Sequence, residues 1–211
     1  MSELPRFVLV SAVDVVALAE LLQRVVSAPE PVVVLVRDKS LPRSERMAIT
    51  ERVLEIARPR RHHVWISESA DIAKELGLDG VHLGGTPDES TISNVRAVVG
   101  EGVWINAACH DVDDVRRAAA FAPGSRPDSV FLSPIFESPG KGAPLGANGL
   151  SSARAILRAR RELGEHAPKL IALGGIDASR AQICFRAGAD AVAAIARAPF
   201  GCEPDAVRRP T

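Results

Sequence analysis

The stretch Lys169-Leu-Ile-Ala-Leu-Gly-Gly-Ile-Asp177 decides the fold. Its apolar run, Leu170–Leu173, is typical of a strand that is buried on both faces, as in a parallel sheet. Gly174 and Gly175 lack a Cβ, so backbone N–H groups there can approach an anion closely. Asp177 is a suitable N-cap for the helical pattern that follows. The stretch predicts a strand, a glycine turn and a helix, with the turn serving either as an anion site or only as a tight connection.

A second buried run, Ala191–Ala196, comes one helical pattern later. The carboxyl ends of two neighbouring parallel strands, together with the N-termini of the helices that follow, can form a phosphate cradle. We therefore expect the turn after the first run and the end of the second run to bind one phosphate group.

Eight short apolar runs alternate with helical patterns along the chain, which indicates a parallel sheet. Eight such units predict a single (β/α)8 TIM barrel domain over residues 1–211. An open, doubly wound sheet is the alternative, but no G-x-G-x-x-G follows the first run. Prolines and a glycine crowd the place of the eighth helix between Pro199 and Pro210, so we expect a short or irregular final helix. The predicted strands are Phe7–Val10, Val32–Val36, His63–Ile66, Gly80–Leu83, Val103–Asn106, Ser129–Phe136, Leu170–Leu173 and Ala191–Ala196.

Length and composition are ordinary for one large globular domain, with 211 residues, 46% of them hydrophobic and 25% charged. The 26 basic and 26 acidic residues balance, so no net charge favours nucleic acid or a membrane surface as a partner. No apolar run could cross a bilayer, and no signal-peptide pattern is present. Three widely spaced cysteines favour reduced thiols over disulfides. We expect a cytoplasmic protein, and self-association stays open.

Charged residues follow the predicted strands directly, where the active sites of parallel barrels lie. Arg37 and Lys39 follow the second strand, and Lys141 lies in the glycine-rich loop after the sixth. Two carboxylates, Glu68 and Asp88, follow the third and fourth strands. Arginine and lysine bind phosphate oxygens, and Mg²⁺ prefers one or two carboxylates plus phosphate oxygens. The set predicts a site for a substrate with more than one phosphate and a magnesium ion.

Several of these polar residues also have an ordinary structural interpretation. Glu68 and Asp88 each precede a helical pattern and could serve as helix caps. His110 could also be a cap, and Cys109, with no evident base beside it, suits buried packing better than nucleophilic chemistry. His62 and His63 lie at the start of the third strand, on the opposite rim, and we expect both at the surface.

Six stretches match one known family in order and spacing, from about Phe7 to Phe200. They are L-V-R-D-K from Leu35, D-G-V-H-L-G from Asp79, S-P-I-F-E-S-P-G-K from Ser133, P-L-G-A-N-G-L from Pro144, A-L-G-G-I from Ala172 and A-G-A-D-A-V-A-A-I from Ala187. The chain resembles the thiamin phosphate synthase and TenI superfamily. The resemblance implies a (β/α)8 barrel. It also implies that a pyrimidine diphosphate loses pyrophosphate with magnesium and that the nitrogen of a thiazole phosphate attacks the resulting cation-like carbon.

The resemblance assigns roles by position. Arg37 and Lys39 match the pyrophosphate-binding pair, and Lys141 matches a loop lysine of the family. These three cations would stabilise the charge that develops on pyrophosphate as it leaves. The substrate-binding set is Ser67, Ser138, Gly140, Gly174, Gly175, Ile195 and Ala196, and the metal ligands are Glu68 and Asp88.

Other family positions carry different residues here. The cationic phosphate anchors are kept, whereas much of the pyrimidine and magnesium environment is changed. The family's glutamine is Leu35, its Asn-Asp pair is Ser67-Glu68, its second metal aspartate falls on Pro87 beside Asp88, its strand-five serine is Ala108, its loop threonines are Ser138 and Gly140, and its cradle serine is Ala196.

Two alternatives to the synthase stay open. A TenI-like thiazole tautomerase would use the same barrel and phosphate cradle, but the family histidine that acts as its acid and base falls on Pro134. Glu137 is the nearby residue that could take its place. The other alternative is a non-catalytic barrel that binds a phosphorylated ligand in a degraded active site.

Overall fold

A computed structural model describes residues 3–12 and 17–195 of the protein. Within these ranges, parallel strands alternate with α-helices around a barrel. The strands are β1 (Phe7–Val10), β2 (Val33–Val36), β3 (His63–Ser67), β4 (Gly80–Leu83), β5 (Trp104–Cys109), β6 (Ser129–Leu132), β7 (Lys169–Leu173) and β8 (Ala191–Ala194). The helices are α1 (Leu18–Val26), α2 (Arg43–Ala57), α3 (Ala70–Leu76), α4 (Glu89–Val99), α5 (Val112–Ala120), α6 (Gly146–Glu162) and α7 (Ala178–Arg186). Ala196 and the predicted final helix lie outside the described residues.

The sheet is closed, because β1 pairs in parallel with both β2 and β8. Val8 is the register partner of Val33 on one side and of Ala193 on the other. Every strand also pairs with its neighbour in the chain, so the strand order follows the sequence around the ring. The predicted (β/α)8 barrel is confirmed, and the open, doubly wound sheet is excluded.

The strands are apolar on both faces because one face fills the barrel and the other packs under the helices. Inside the barrel, Trp65 and Trp104 stack with ring centroids 6.0 Å apart. Gly80 makes room for this pair, since a Cβ there would lie 2.6 Å from the Trp65 indole. Outside it, strand residues such as Val34 and Ile66 join a fully buried cluster with side chains of the surrounding helices. Burial of these side chains is the main stabilisation of the fold.

The segment after β6 differs from the sequence expectation. β6 ends at Leu132, not at Phe136, and α6 begins at Gly146, inside the glycine-rich loop that the sequence predicts over Glu137–Gly149. The chain turns away at Ser133-Pro134, because a proline has no N–H for the ladder. The start of α6 is then held by hydrogen bonds from Leu145 N to the Pro134 carbonyl and from Gly146 N to the Ile135 carbonyl, at 2.9 and 3.0 Å. The connection therefore spans residues 133–145, earlier in the chain than predicted.

His62 is buried, and the expectation of a surface position was wrong. Its Nδ1 accepts from Val32 N at 3.2 Å, and its Nε2 lies 3.0 Å from the carbonyl oxygen of Val25. These contacts use both ring nitrogens of a neutral imidazole, and burial lowers the pKa of His62. The ring therefore links β2 and the C-terminal end of α1.

Within residues 3–12 and 17–195, none of the helices combines the length and the apolar character that crossing a membrane requires.

Candidate active site

The carboxyl ends of the strands surround a cavity of about 770 Å³. Apolar residues of the barrel interior line its inner part, among them Leu35, Phe131 and Ala193. The loop between β6 and α6 and the turn after β7 contribute most of its polar lining. Of the predicted site residues, the cavity is lined by Arg37, Ser138, Lys141, Gly174, Gly175 and Ile195. Cations and glycines from three separate segments thus line one cavity, together with Ile195 after β8.

The turn after β7 is shaped by the loop that follows β6. Gly174 and Gly175 have φ angles of 103° and 62°, which favour glycine. A Cβ on Gly174 would lie 2.8 Å from Pro134 Cα, and one on Gly175 would lie 2.5 Å from the Glu137 carbonyl oxygen. Close packing against this loop, rather than an anion, is enough to require both glycines.

In the same turn, the carbonyl groups and the N–H groups differ in their hydrogen bonding. Ile135 N donates to the Leu173 carbonyl and Phe136 N to the Gly174 carbonyl, at 2.9 and 3.1 Å. The N–H groups of Gly174 and Gly175, by contrast, have no acceptor among the described residues. Unsatisfied N–H groups beside a cavity are well suited to an anionic ligand.

Arg37 is positioned by a hydrogen-bonded turn after β2. Its backbone N–H donates to Ser11 Oγ at 2.8 Å, and the Ser11 hydroxyl in turn donates to the Asp38 carboxylate. Asp38 is buried, whereas the Arg37 side chain is exposed and lines the cavity. The carboxylate between the two cations therefore stabilises the turn that presents Arg37.

Lys39 and Glu68 form an ion pair between the ends of β2 and β3, with Nζ 2.5 Å from Oε1. Burial raises the pKa of Glu68, but the hydrogen bond and charge of Lys39 outweigh it, so the pKa lies below its usual value. The pair lies against Gly84, where a Cβ would be 2.5 Å from Lys39 Nζ. Glu68 has a φ of 54°, an uncommon conformation for a non-glycine residue. Neither residue lines the cavity itself.

The predicted metal ligands are engaged elsewhere. Asp88 is the N-cap of α4, and its Oδ1 accepts from Thr91 N at 2.8 Å, Thr91 Oγ1 at 2.7 Å and Ser90 Oγ at 2.9 Å. Glu68 accepts from Lys39 and from the Gly84 backbone. Among the described residues, no three His, Cys, Asp or Glu side chains converge as a metal site. Both carboxylates are thus already engaged with protein groups, and a magnesium requirement stays a prediction for this chain.

Two further predicted residues lie near the site without lining it. Ser67 is fully buried at the end of β3, its carbonyl accepts from Arg46, and its hydroxyl has no partner among the described residues. Gly140 lies in the loop after β6 with a φ of 70°. Their roles as substrate contacts stay predictions.

A buried polar row inside the barrel was missed by sequence reasoning. His82 lines the cavity, and its Nδ1 lies 2.6 Å from Asn106 Oδ1. Asn106 Nδ2 donates to Ser129 Oγ at 2.8 Å, so its Oδ1 is an acceptor and His82 Nδ1 carries a proton. Burial is the main cause that lowers the pKa of His82, to about 4, and Lys39 and Arg37 lower it further. The ring is neutral near pH 7, with Nε2 as an acceptor.

Comparison with known proteins identifies the family. The model of the family described as thiamine monophosphate synthase matches residues 7–198. The chain belongs to the thiamine monophosphate synthase family. A thiamine-phosphate synthase of Anaeromyxobacter dehalogenans is 33% identical over 167 residues, which cover 79% of this chain and 64% of the relative. One of Methanoculleus marisnigri is 32% identical over 174 residues, which cover 82% of this chain and 77% of the relative.

Solved structures agree with the fold of the thiamine monophosphate synthase family. Thiamine phosphate pyrophosphorylase from Pyrococcus furiosus matches with a TM-score of 0.70 and covers 90% of this chain and 85% of that one. At 17% identity, this likeness shows the fold alone. The chain spans slightly less than two thirds of the Anaeromyxobacter relative. Family membership supports a transferase of thiamin biosynthesis, and the relatives do not favour the tautomerase alternative.

Proposed function

We propose that the protein is a thiamine-phosphate synthase, which joins a hydroxymethylpyrimidine diphosphate to a thiazole phosphate and releases pyrophosphate. One observation carries the proposal: Arg37, Lys141 and the Gly174-Gly175 turn, from three separate segments, line a single cavity. Two cations and backbone amides around one cavity suit two phosphorylated substrates held side by side.

The reaction breaks one bond and forms one. The bond between the pyrimidine methylene carbon and the pyrophosphate oxygen breaks, and pyrophosphate leaves with the electron pair. The thiazole ring nitrogen then donates its lone pair to the methylene carbon and becomes the positively charged nitrogen of thiamin phosphate. Negative charge therefore grows on the leaving group, and positive charge passes from the carbon to the nitrogen.

Arg37, Lys39 and Lys141 are the residues that we assign to the leaving group. Fixed positive charges accelerate this step because their interaction with pyrophosphate strengthens as the bond breaks. Among the residues that the structure describes, no carboxylate forms an ion pair with Arg37 or Lys141, so both are available to an anion. Glu68 would hold the Lys39 ammonium beside them. Glu68 and Asp88 are both engaged with protein groups, so no step is assigned to a metal.

The thiazole phosphate would occupy the turn after β7, where the N–H groups of Gly174 and Gly175 lack acceptors within residues 3–12 and 17–195. Ile195, after β8, lines the same cavity, which supports its assignment to this cradle. Ala196, the other cradle residue, lies outside the described residues and stays a prediction. Ser138 lines the cavity from the loop, and its hydroxyl donates to the Phe136 carbonyl at 3.2 Å, which leaves its oxygen free to accept.

The pyrimidine ring would lie against the apolar part of the cavity. Leu35 and the Phe131 ring offer apolar contact, and His82 offers the Nε2 acceptor to an N–H group of the pyrimidine. A neutral His82 is the form that accepts, and its low pKa keeps it in that form near pH 7.

Incubation of the purified protein with both substrates and magnesium tests the proposal. The expected result is thiamin phosphate and pyrophosphate in equal amounts. Lys141→Ala should lower kcat/KM by about 10²-fold or more, since one stabilising charge is lost in the transition state. Arg52→Ala, which removes an exposed cation of α2, is the matched control and should leave the rate unchanged. If the protein binds both substrates but yields no product, the non-catalytic alternative is correct.

A further inference from the structure

Arg180, on the first turn of α7, is a cavity-lining cation that neither the residue patterns nor the resemblance singled out. Gly175 lines the same cavity, and the Phe136 ring lies against the Arg180 guanidinium. We propose that Arg180 is a further phosphate-binding residue of this site, which selects the phosphorylated thiazole over its free alcohol. The inference deepens the proposed synthase function and rests on it for the identity of the ligand.

Two contacts hold the guanidinium group in place. Its Nη1 donates to the Gly175 carbonyl at 2.7 Å, and its Cζ lies 5.0 Å from the centroid of the Phe136 ring. A guanidinium has five N–H donors, so one hydrogen bond leaves most of them available. Because the group is already held, little side-chain entropy is lost when it binds a ligand.

The carbonyl that Arg180 binds belongs to the turn whose amides are unsatisfied. Arg180 takes the Gly175 carbonyl, while the N–H groups of Gly174 and Gly175 have no acceptor among the described residues. A phosphate at those amides would therefore lie beside the guanidinium. Arginine donors suit phosphate oxygens, and the charge adds to the hydrogen bonds.

The acidic groups nearby do not neutralise Arg180 by pairing. Asp177 and Glu137 also line the cavity, but within the described ranges no carboxylate lies at ion-pairing distance from this guanidinium. The Asp177 carboxylate instead caps α7, accepting from Arg180 N at 3.0 Å and from Ser179 Oγ at 2.7 Å. Asp177 would repel a phosphate, and Arg180 offsets this repulsion.

Calorimetric titration of the full chain with the thiazole phosphate and, separately, with the thiazole alcohol tests the assignment. Arg180→Ala should weaken binding of the phosphate by about 10- to 100-fold, which is the usual effect of losing a charged hydrogen bond, and should leave binding of the alcohol unchanged. Arg180→Lys should restore part of the affinity. Arg186→Ala, which removes an exposed cation at the other end of α7, is the matched control and should bind like the parent.

The ratio of the two affinities, for the phosphate and for the alcohol, distinguishes a phosphate contact from a structural role of Arg180. If Arg180→Ala weakens the phosphate and the alcohol equally, Arg180 only supports the turn and the proposal is overturned. The proposal also fails if the variant binds the phosphate within twofold of the parent. Turnover measured on the same samples separates this result from the synthase proposal. If the parent is inactive but its binding of the phosphate depends on Arg180, only the synthase function is overturned. If the parent is active and Arg180→Ala has an unchanged KM for the thiazole phosphate, only the role of Arg180 is overturned.

Discussion

His82 Nδ1 lies 2.6 Å from Asn106 Oδ1 inside the barrel, in a polar row that ends at Ser129. The row crosses three adjacent strands in register, since His82 pairs with Asn106 and Asn106 with Ser129. Each member is buried and has a partner, as buried polar groups in stable proteins do. The contact also determines which nitrogen of His82 carries the proton.

Acid should destabilise the fold through His82. Its pKa is about 4 in the folded protein and about 6.5 in the unfolded chain, so the unfolded chain binds the proton first. The contribution of His82 is complete above pH 6.5 and is lost as the pH falls toward 4. We expect a loss of about 3 kcal/mol in the free energy of unfolding over this range.

Urea denaturation of the parent and of His82→Gln at several pH values measures this contribution. The difference between the two free energies of unfolding should shrink as the pH falls from 6.5 to 4. His62, whose pKa burial also lowers, is present in both proteins and cancels in the difference. A difference that stays constant with pH would show that His82 is not buried as a neutral ring.

Asn106→Ala should lower the free energy of unfolding by about 2–3 kcal/mol, because it leaves His82 without its acceptor and opens a small cavity. Ser93→Ala removes a partly buried hydroxyl that pairs with Ser125 and is the control, with an expected loss below about 1 kcal/mol. Chemical denaturation measures both. Equal losses in the two variants would contradict a special role for the polar row.

Gly175→Ala should be costly, because its Cβ would meet the Glu137 carbonyl at 2.5 Å and Phe136 Cβ at 2.9 Å in a conformation with positive φ. We expect a loss of about 2 kcal/mol or more in the free energy of unfolding and displacement of the loop after β6. Gly142→Ala has free space around its Cβ and should change stability by less than about 0.5 kcal/mol. Thermal unfolding compares the two, and similar melting temperatures would argue against tight packing at this turn.

Asp88 and Glu68 should respond differently to substitution. Asp88→Ala removes a helix cap and should cost about 1 kcal/mol of stability without changing kcat or the magnesium dependence. Glu68→Gln removes the partner of Lys39 and should change kcat/KM. Steady-state kinetics at several magnesium concentrations, with urea denaturation of each variant, measures both effects. A raised magnesium requirement in Asp88→Ala would instead support the metal role that the sequence predicts.

Periodicity and turn chemistry were enough to predict the barrel and the segments that reach its active end. Buried strands such as Leu170–Leu173 are encoded by consecutive apolar residues, and Asp177 caps α7 as expected. The loop after β6 was less predictable, because hydrogen bonds between residues distant in the chain decide where β6 ends and α6 begins. Local sequence carries no signal for such contacts.

By itself, the sequence determined the eightfold alternation, the closure that eight units favour and the strand ends where Arg37, Lys141 and the glycine turn lie. Only the tertiary structure decided which partner each polar side chain has. Lys39 pairs with Glu68, Asp88 caps α4, Arg180 lies against Phe136, and His82 contacts Asn106 inside the barrel. The physical reason is the separation along the chain of the groups that interact. Strand and helix patterns arise from neighbours in the chain, whereas hydrogen bonding and the pKa of a side chain depend on groups that folding brings from other strands.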